Sequence, residues 1–204
     1  VLCEACPYCL SAKGHFCEHM TGIGTMVNGG FAEYVAVPAK QTHLVSDGCS
    51  LMKAAMTEPL ACCLHGIDMC DIRPGDRVCV IGAGMIGLIM LQLAKLSGAA
   101  FVAVSEPVAA KRQEAEKLGA DLCLDPSSMP EDDFLSLCGK YDFNCVIECA
   151  GLTRTIEQAV RIAGKKATVM MFGLTKPDDA ISLKPYDVFS KELTLRSSYI
   201  NPYT

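Results

Sequence analysis

The 204-residue chain has no surplus of positive charge, no apolar run of membrane length, no repeat of fixed period and no low-complexity stretch. Each absence excludes something. Its 18 Lys and Arg stand against 23 Asp and Glu, a net charge of -5, whereas proteins that hold nucleic acid concentrate cations to displace counterions. The only basic pairs, Lys111-Arg112 and Lys165-Lys166, are too short to form a stripe and read as solvated surface. The longest apolar stretch, Val78 to Leu91, carries three glycines and falls short of the roughly 18 residues that cross a bilayer. The first residues show no signal or transit pattern. A soluble, cytoplasmic protein with neither nucleic acid nor membrane as partner is therefore expected.

Half of the residues are hydrophobic and a fifth charged, with 17 glycines, the composition of a globular chain. Cysteine is plentiful, 13 in all. Most sit singly within apolar runs such as RVCVIG and DLCLD, as buried free thiols in a reducing compartment do. The first four differ. Cys3, Cys6, Cys9 and Cys17 follow C-x2-C-x2-C-x7-C on a segment with Pro7, Gly14 and no helix or strand period. Thiolates so spaced on turning chain suit a tetrahedral zinc, whose binding would supply folding free energy to a lobe poor in apolar residues. Four sulfurs leave no open position, so the metal would be structural. An iron-sulfur cluster fits less well, because the fourth cysteine lies far out. His15 and His19 flank Cys17 and remain alternative ligands.

After the lobe, GGFAEYVAVPAK reads as a turn and a strand in which Phe31, Tyr34, Val35 and Val37 face inward. A helix-like run follows to about Met69, with a break or kink expected at Pro59. From Arg77 the pattern is regular. Strand-like runs at about 77–82, 100–105, 121–124, 143–149, 167–173 and 193–200 alternate with helix-like stretches at about 85–98, 108–118, 130–139, 153–163 and 185–190. Apolar strands between amphipathic helices imply an α/β, doubly wound, parallel six-stranded sheet covered on both faces. The expected division is 1–70, containing the lobe at 1–20, and 71–204.

The loop Gly82-Ala83-Gly84-Met85-Ile86-Gly87 is G-x-G-x-x-G between a strand and a helix. Gly82 permits the tight turn, Gly84 the approach of a pyrophosphate and Gly87 close helix-strand packing, while the helix N-terminus offers N–H groups to phosphate. Glu106 ends the next strand. An acid there accepts from both ribose hydroxyls and repels a 2'-phosphate, which favours NAD over NADP. Ser105 and Lys111 leave NADP open, and another nucleotide such as adenosylmethionine is the alternative occupant. Later strand ends should complete the cleft, with Cys149, Ala150 and Gly151 after the fourth strand and Phe172, Gly173 and Leu174 after the fifth. Gly173 is the one expected to let a nicotinamide lie against backbone.

The cysteine lobe, GGFAEYVAVP, the EPL segment and the glycine loop, in this order, resemble the zinc-containing medium-chain alcohol dehydrogenases, and among them the polyol branch of sorbitol, threonine and butanediol dehydrogenases. The resemblance covers essentially the whole chain. It implies that a mainly-β GroES-like catalytic domain, here partial, precedes the Rossmann domain, that Cys3, Cys6, Cys9 and Cys17 hold structural zinc, and that Lys111 lies near the adenosine ribose. It places Glu58 at a catalytic zinc, as a ligand or a holder of its water. The family's other catalytic ligands, a cysteine and a Gly-His-Glu motif, precede the lobe; neither occurs in this chain. An internal piece of a longer enzyme is thus expected, which binds NAD but turns over little alone. The implied reaction is zinc- and NAD-dependent oxidation of a secondary hydroxyl on a polyol or similar alcohol. The implied assembly is a homodimer or homotetramer, since the final strand ELTLRSSYI is apolar and at a sheet edge. Two other readings stand beside it: a non-catalytic NAD-binding assembly module, and a zinc-free medium-chain reductase of quinones or enones.

Overall fold

The structure, a computed structural model, describes residues 1–202. Two compact units separate: Val1–Glu58 with the tail from Tyr199, and Pro59–Ser198.

The first unit begins with a closed loop, in which the Val1 ammonium donates to Thr21 O at 2.7 Å and Thr21 N–H returns to Val1 O at 3.0 Å. Helix α1 (Pro7–Leu10) starts on Pro7, whose fixed φ and missing N–H suit a first turn. The strand expected at 31–37 does not form. No described strand pairs with it, the isolated Ile23–Val27 bridge lying outside the segment, and Phe31 and Tyr34 are 112% and 89% exposed. A strand alone leaves its backbone groups without partners, so an apolar alternation is not sufficient to make one. Two short helical pieces follow, at Ala39–Gln41 and in α2 (Leu51–Ala54), where the Ser50 hydroxyl accepts from Lys53 N–H at 3.3 Å. The helical break lies at residues 55–56 rather than at Pro59, because α3 (Thr57–Cys70) opens two residues before the proline. In a first turn the absent N–H costs nothing.

The second unit is a six-stranded parallel sheet of order β3-β2-β1-β4-β5-β6, with β1 Arg77–Ile81, β2 Phe101–Ser105, β3 Leu122–Leu124, β4 Phe143–Glu148, β5 Ala163–Met171 and β6 Thr194–Ser197. The crossovers are α4 (Met85–Leu96), α5 (Ala109–Lys117), α6 (Glu131–Gly139), α7 (Thr153–Ile162) and α8 (Pro185–Lys191). Alternate strand residues feed two cores. Val78, Val80, Val102, Val104 and Ile147 pack with Cys63 and Ile67 of α3 and Met90, Leu91 and Ala94 of α4. Cys79, Ile81, Ala103, Val146 and Val169 pack on the other face with Phe134 and Cys138 of α6 and Ala159 and Val160 of α7. Each fully buried Val or Leu contributes about 1.5–3 kcal/mol relative to exposure, which is why the strands read as continuous apolar runs.

Two strand bounds differ from expectation. β5 starts four residues early, since Ala163 pairs with Phe143 across a register shift, a backbone contact that the polar Lys165 and Lys166 conceal. β6 is shorter, and of its residues only Leu195 joins the core, while Thr194, Arg196 and Ser197 are exposed. No described helix is long and apolar enough to cross a membrane.

Candidate functional site

The order of strands reverses between β1 and β4, and ligands of doubly wound sheets bind beyond the carboxyl ends of strands at such a point. A cleft of about 420 Å³ opens there, lined among others by Gly82, Glu106, Pro107, Ala150 and Arg154. Gly82 leaves β1 with φ +96, a backbone state that side chains disfavour, and its N–H donates to Ser105 O at 2.8 Å. Gly84 caps α4 in an extended conformation, and a Cβ placed on it would meet nothing within 4 Å. Gly87 lies one turn in; its Cβ would fall 1.9 Å from Gly82 O. Met85 is exposed and Ile86 half-buried. The first N–H groups of α4, which lack intrahelical acceptors, thus begin beside open space.

Glu106 is 4% exposed. Its Oε2 accepts from Ala83 N–H at 2.8 Å and its Oε1 from Val108 N–H at 3.0 Å, so the acid joins the glycine loop to the exit of β2. Arg112 donates to the carbonyls of Glu106 and Pro107 at 2.7 and 2.8 Å and pairs with Asp125 at 3.1 Å. The hydroxyl and amide of Ser127, with Arg112 beyond them, hold the Asp125 carboxyl below its usual range. Reading Lys111-Arg112 as a solvated pair is therefore half wrong. Lys111 is exposed and outside the cleft lining, whereas Arg112 is tied down because its six-residue offset brings it back to the strand end. Arg154, in the first turn of α7, also escaped the sequence reading; its position one helix start after a strand end was the available signal. The Ser105 hydroxyl is buried in the cleft wall without a protein partner.

On the β4–β5 side, Phe172 and Gly173 donate their N–H groups to Glu148 O at 3.0 and 2.9 Å. Cys149 is half-buried, and burial with the neighbouring Glu148 raises its thiol well above the ordinary range. Gly151 and Leu174 face a second groove with Thr153, Arg154 and Lys176.

In the first unit Cys3, Cys6, Cys9 and Cys17 come together, their sulfurs all within 4.8 Å of one another. Cys3 and Cys9 Sγ are 3.9 Å apart, close to the edge of about 3.8 Å of a tetrahedron with Zn–S bonds of about 2.3 Å. Cys3 N–H donates to Cys17 Sγ at 3.4 Å and Cys6 N–H to Cys3 Sγ at 3.3 Å. Backbone N–H groups of Cys9 and Glu18 bring the Cys6 thiol down to about 6, whereas burial and the Cys6 sulfur push Cys9 up to about 12. The sulfurs thus share too few donors for all of them to be charged at once. Four crowded thiolates cannot all be charged without a cation among them, and the set fits zinc. His15 packs on Phe16, ring centroids 4.2 Å apart, and neither it nor His19 joins the cluster. Among the described residues this is the only set of three or more metal-binding side chains so placed. Glu58 is exposed in the first turn of α3, outside any such set, and by itself composes no catalytic metal site.

The family model described as zinc-binding dehydrogenase matches residues 86–203, and that of the alcohol dehydrogenase GroES-like domain matches residues 1–47. The sorbitol dehydrogenase of Halalkalibacterium halodurans is 33% identical over 85% of this chain and 51% of its own length. Among solved structures, a zinc-binding dehydrogenase of Sinorhizobium meliloti bound to NADP superposes with a TM-score of 0.92 at 36% identity, over 100% of this chain and 60% of that one. A short chain alcohol dehydrogenase of Escherichia coli CFT073, complexed with NADH, gives 0.90 at 26% identity, over 99% and 59%. The chain spans about half the length of the curated relative, 51%.

Proposed function

Because the chain belongs to the zinc-binding dehydrogenase family, we propose that it serves the NAD-dependent oxidation of a secondary hydroxyl on a polyol or similar small alcohol. The observation that carries this reading is the joining of Glu106 to the glycine loop, its Oε2 2.8 Å from Ala83 N. One carboxylate fixes the loop that would take a pyrophosphate and stands where ribose hydroxyls would lie. Each oxygen accepts one N–H and retains lone-pair capacity for a hydroxyl, and the negative charge disfavours a 2'-phosphate. Gly84 leaves space for phosphate, and Gly173 is proposed to let a nicotinamide lie against backbone. NAD supplies the hydride acceptor when bound, and the residues of this chain position it.

Cys3, Cys6, Cys9 and Cys17 would hold a zinc that stabilises the lobe. Glu58 is proposed to join a catalytic zinc with ligands other than the described residues, and Lys111 to stay near the adenosine side. The part from residue 71 onward is taken as the NAD-binding domain and 1–70 as GroES-like. A cytoplasmic place suits the free thiols, and β6 at the sheet edge suits a homodimer or homotetramer.

The test is a fluorescence titration of the chain with NADH and NADPH, with a zinc assay on the same sample. Tighter binding of NADH and about one zinc per chain support the reading. Absence of dinucleotide binding sinks it, and a preference for NADPH sinks the role given to Glu106. Turnover of sorbitol and butanediol by the whole protein then tests the substrate class.

A further inference from the structure

The most deeply buried carboxylate of the second unit is not Glu106 but Glu148, the last residue of β4, which is 0% exposed. A buried carboxylate without donors is costly, so the way it is satisfied shows what it holds. Its Oε1 accepts three bonds, from Ala150 N–H at 2.8 Å, Gly151 N–H at 2.9 Å and the Thr155 hydroxyl at 2.7 Å. Its backbone carbonyl accepts Phe172 and Gly173 N–H. Its Oε2 is buried with no partner. One residue therefore ties together the exit turn of β4, the first turn of α7 and the exit turn of β5.

The two turns are also pressed against each other. A Cβ on Gly173 would lie 2.3 Å from Gly151 N and 2.7 Å from Glu148 Oε2, and one on Gly151 would lie 2.7 Å from Leu174 O. The two turns are thus packed backbone to backbone, with no room for a side chain between them. On the opposite side, Ala150 N is 3.3 Å from where a Gly82 Cβ would be, so the same turn abuts the glycine loop and lines the cleft.

We infer that Glu148 is a positioning residue of the dinucleotide cleft: it touches no ligand, and by accepting three bonds on one oxygen it fixes the Cys149–Gly151 turn against the glycine loop and the β5 exit. The inference rests on the reading of the cleft as a dinucleotide site. What matters is an acceptor at Oε1, not the second oxygen, which has no donor to serve.

The test compares Glu148→Leu, Glu148→Gln and Thr155→Val in the full chain, each below its own unfolding temperature. The readouts are NADH affinity by fluorescence and the amide proton resonances of Ala150 and Gly151. Leucine keeps the bulk and removes the acceptor, so NADH binding falls about tenfold or more and both amides shift upfield once the carboxylate that they bond is gone. Glutamine keeps one acceptor oxygen and restores NADH affinity to within about threefold of the parent. Thr155→Val removes a hydroxyl that lies 2.7 Å from Glu148 Oε1 and 2.8 Å from Leu152 O and lines the cleft itself, so it is read by the Ala150 and Gly151 resonances, which should move less than with leucine; unmoved resonances overturn the proposal should Glu148→Leu fail to fold. A merely structural role predicts lowered thermal stability with unchanged NADH affinity, and that result overturns the proposal. So does a glutamine variant as impaired as leucine. A parent chain that binds no NADH overturns the dinucleotide reading instead, and the two amide resonances then decide the tether by themselves.

Discussion

Gly84 and Gly87 lie three residues apart in one loop, yet their replacement by alanine should fail in opposite ways. At Gly87 a Cβ would fall 1.9 Å from Gly82 O and 2.9 Å from its carbonyl carbon, where ordinary contact begins at 3.4 Å; the deficit is 3.4 − 1.9 = 1.5 Å. Both colliding groups are backbone, so no rotamer relieves the clash and the start of α4 must leave the end of β1. Overpacking of this kind costs about 1–3 kcal/mol. At about 2–4 °C per kcal/mol for a domain of this size, Gly87→Ala should lower the unfolding midpoint by roughly 2–12 °C.

Gly84 has φ -73 and ψ -177, which any residue adopts, and its Cβ meets nothing within 4 Å. Alanine at this cap loses up to about 1 kcal/mol relative to glycine, and the stiffer unfolded chain returns about 0.4–1 kcal/mol. The two nearly cancel, so the midpoint of Gly84→Ala should stay within about 3 °C of the parent. The new methyl enters the space that a pyrophosphate must approach, and NADH affinity should fall about tenfold or more, at least ~1.4 kcal/mol. Calorimetry and fluorescence titration on both variants check this. A Gly84→Ala chain that binds NADH undiminished, or that unfolds as early as Gly87→Ala, refutes the separation of fold from ligand approach.

Chelation of zinc, or Cys6→Ser, is expected to expose the lobe thiols to a colorimetric reagent while the far-ultraviolet signal of the α/β unit persists; loss of both together would contradict a local role for the metal. Burial raises the Asp121 carboxyl, but Lys95 and the Val102 N–H at 2.6 Å outweigh it and leave it below its usual 3.8. A folded value below the unfolded one contributes stability that is present above about 3.8 and lost as pH falls through the lowered value. Asp121→Asn should therefore lose more stability at pH 6 than at pH 3, as denaturant midpoints would measure, and an equal loss at both would count against the ion pair. Burial raises the Cys79 and Cys145 thiols well above the ordinary range, with Cys70 leading at Cys145, and pushes Cys138 up to about 11. They should react only on unfolding, after the exposed Cys49, and labelling followed by mass spectrometry orders them.

The sheet was legible because each strand met two requirements with the same residues. Val78 and Val80 feed one core and Cys79 and Ile81 the other, so burial on both faces wrote an unbroken apolar run into the sequence. The glycine loop was legible for a similar reason, since turn, approach and packing each demand glycine at a fixed offset. Phe31 to Val37 show the limit of this logic. Their alternation is local, but a strand exists only through a neighbour, and nothing in the segment specifies one.

Arg112 was obscured differently, because two of its three partners are the carbonyls of Glu106 and Pro107, and backbone acceptors carry no residue type, while the third, Asp125, is a lone acid beyond the next strand. Glu148 lies between these cases. The run FNCVIECAG places one acid at the end of a strand whose other polar residue, Asn144, is exposed near its start, and burial of that strand was already expected. An acid carried inside with its strand must meet donors close to its own position. The nearest are the N–H groups of the turn that follows, which the carbonyls of β4 cannot serve, so the one buried polar residue of this strand marks the turn it must organise. By the same argument Ser105, buried at the end of β2 with no partner for its hydroxyl, marks the cleft wall as a place where a donor or acceptor is still owed. Replacing it with alanine should cost the empty protein little stability and the NADH complex measurable affinity, an asymmetry that a packing residue would not produce.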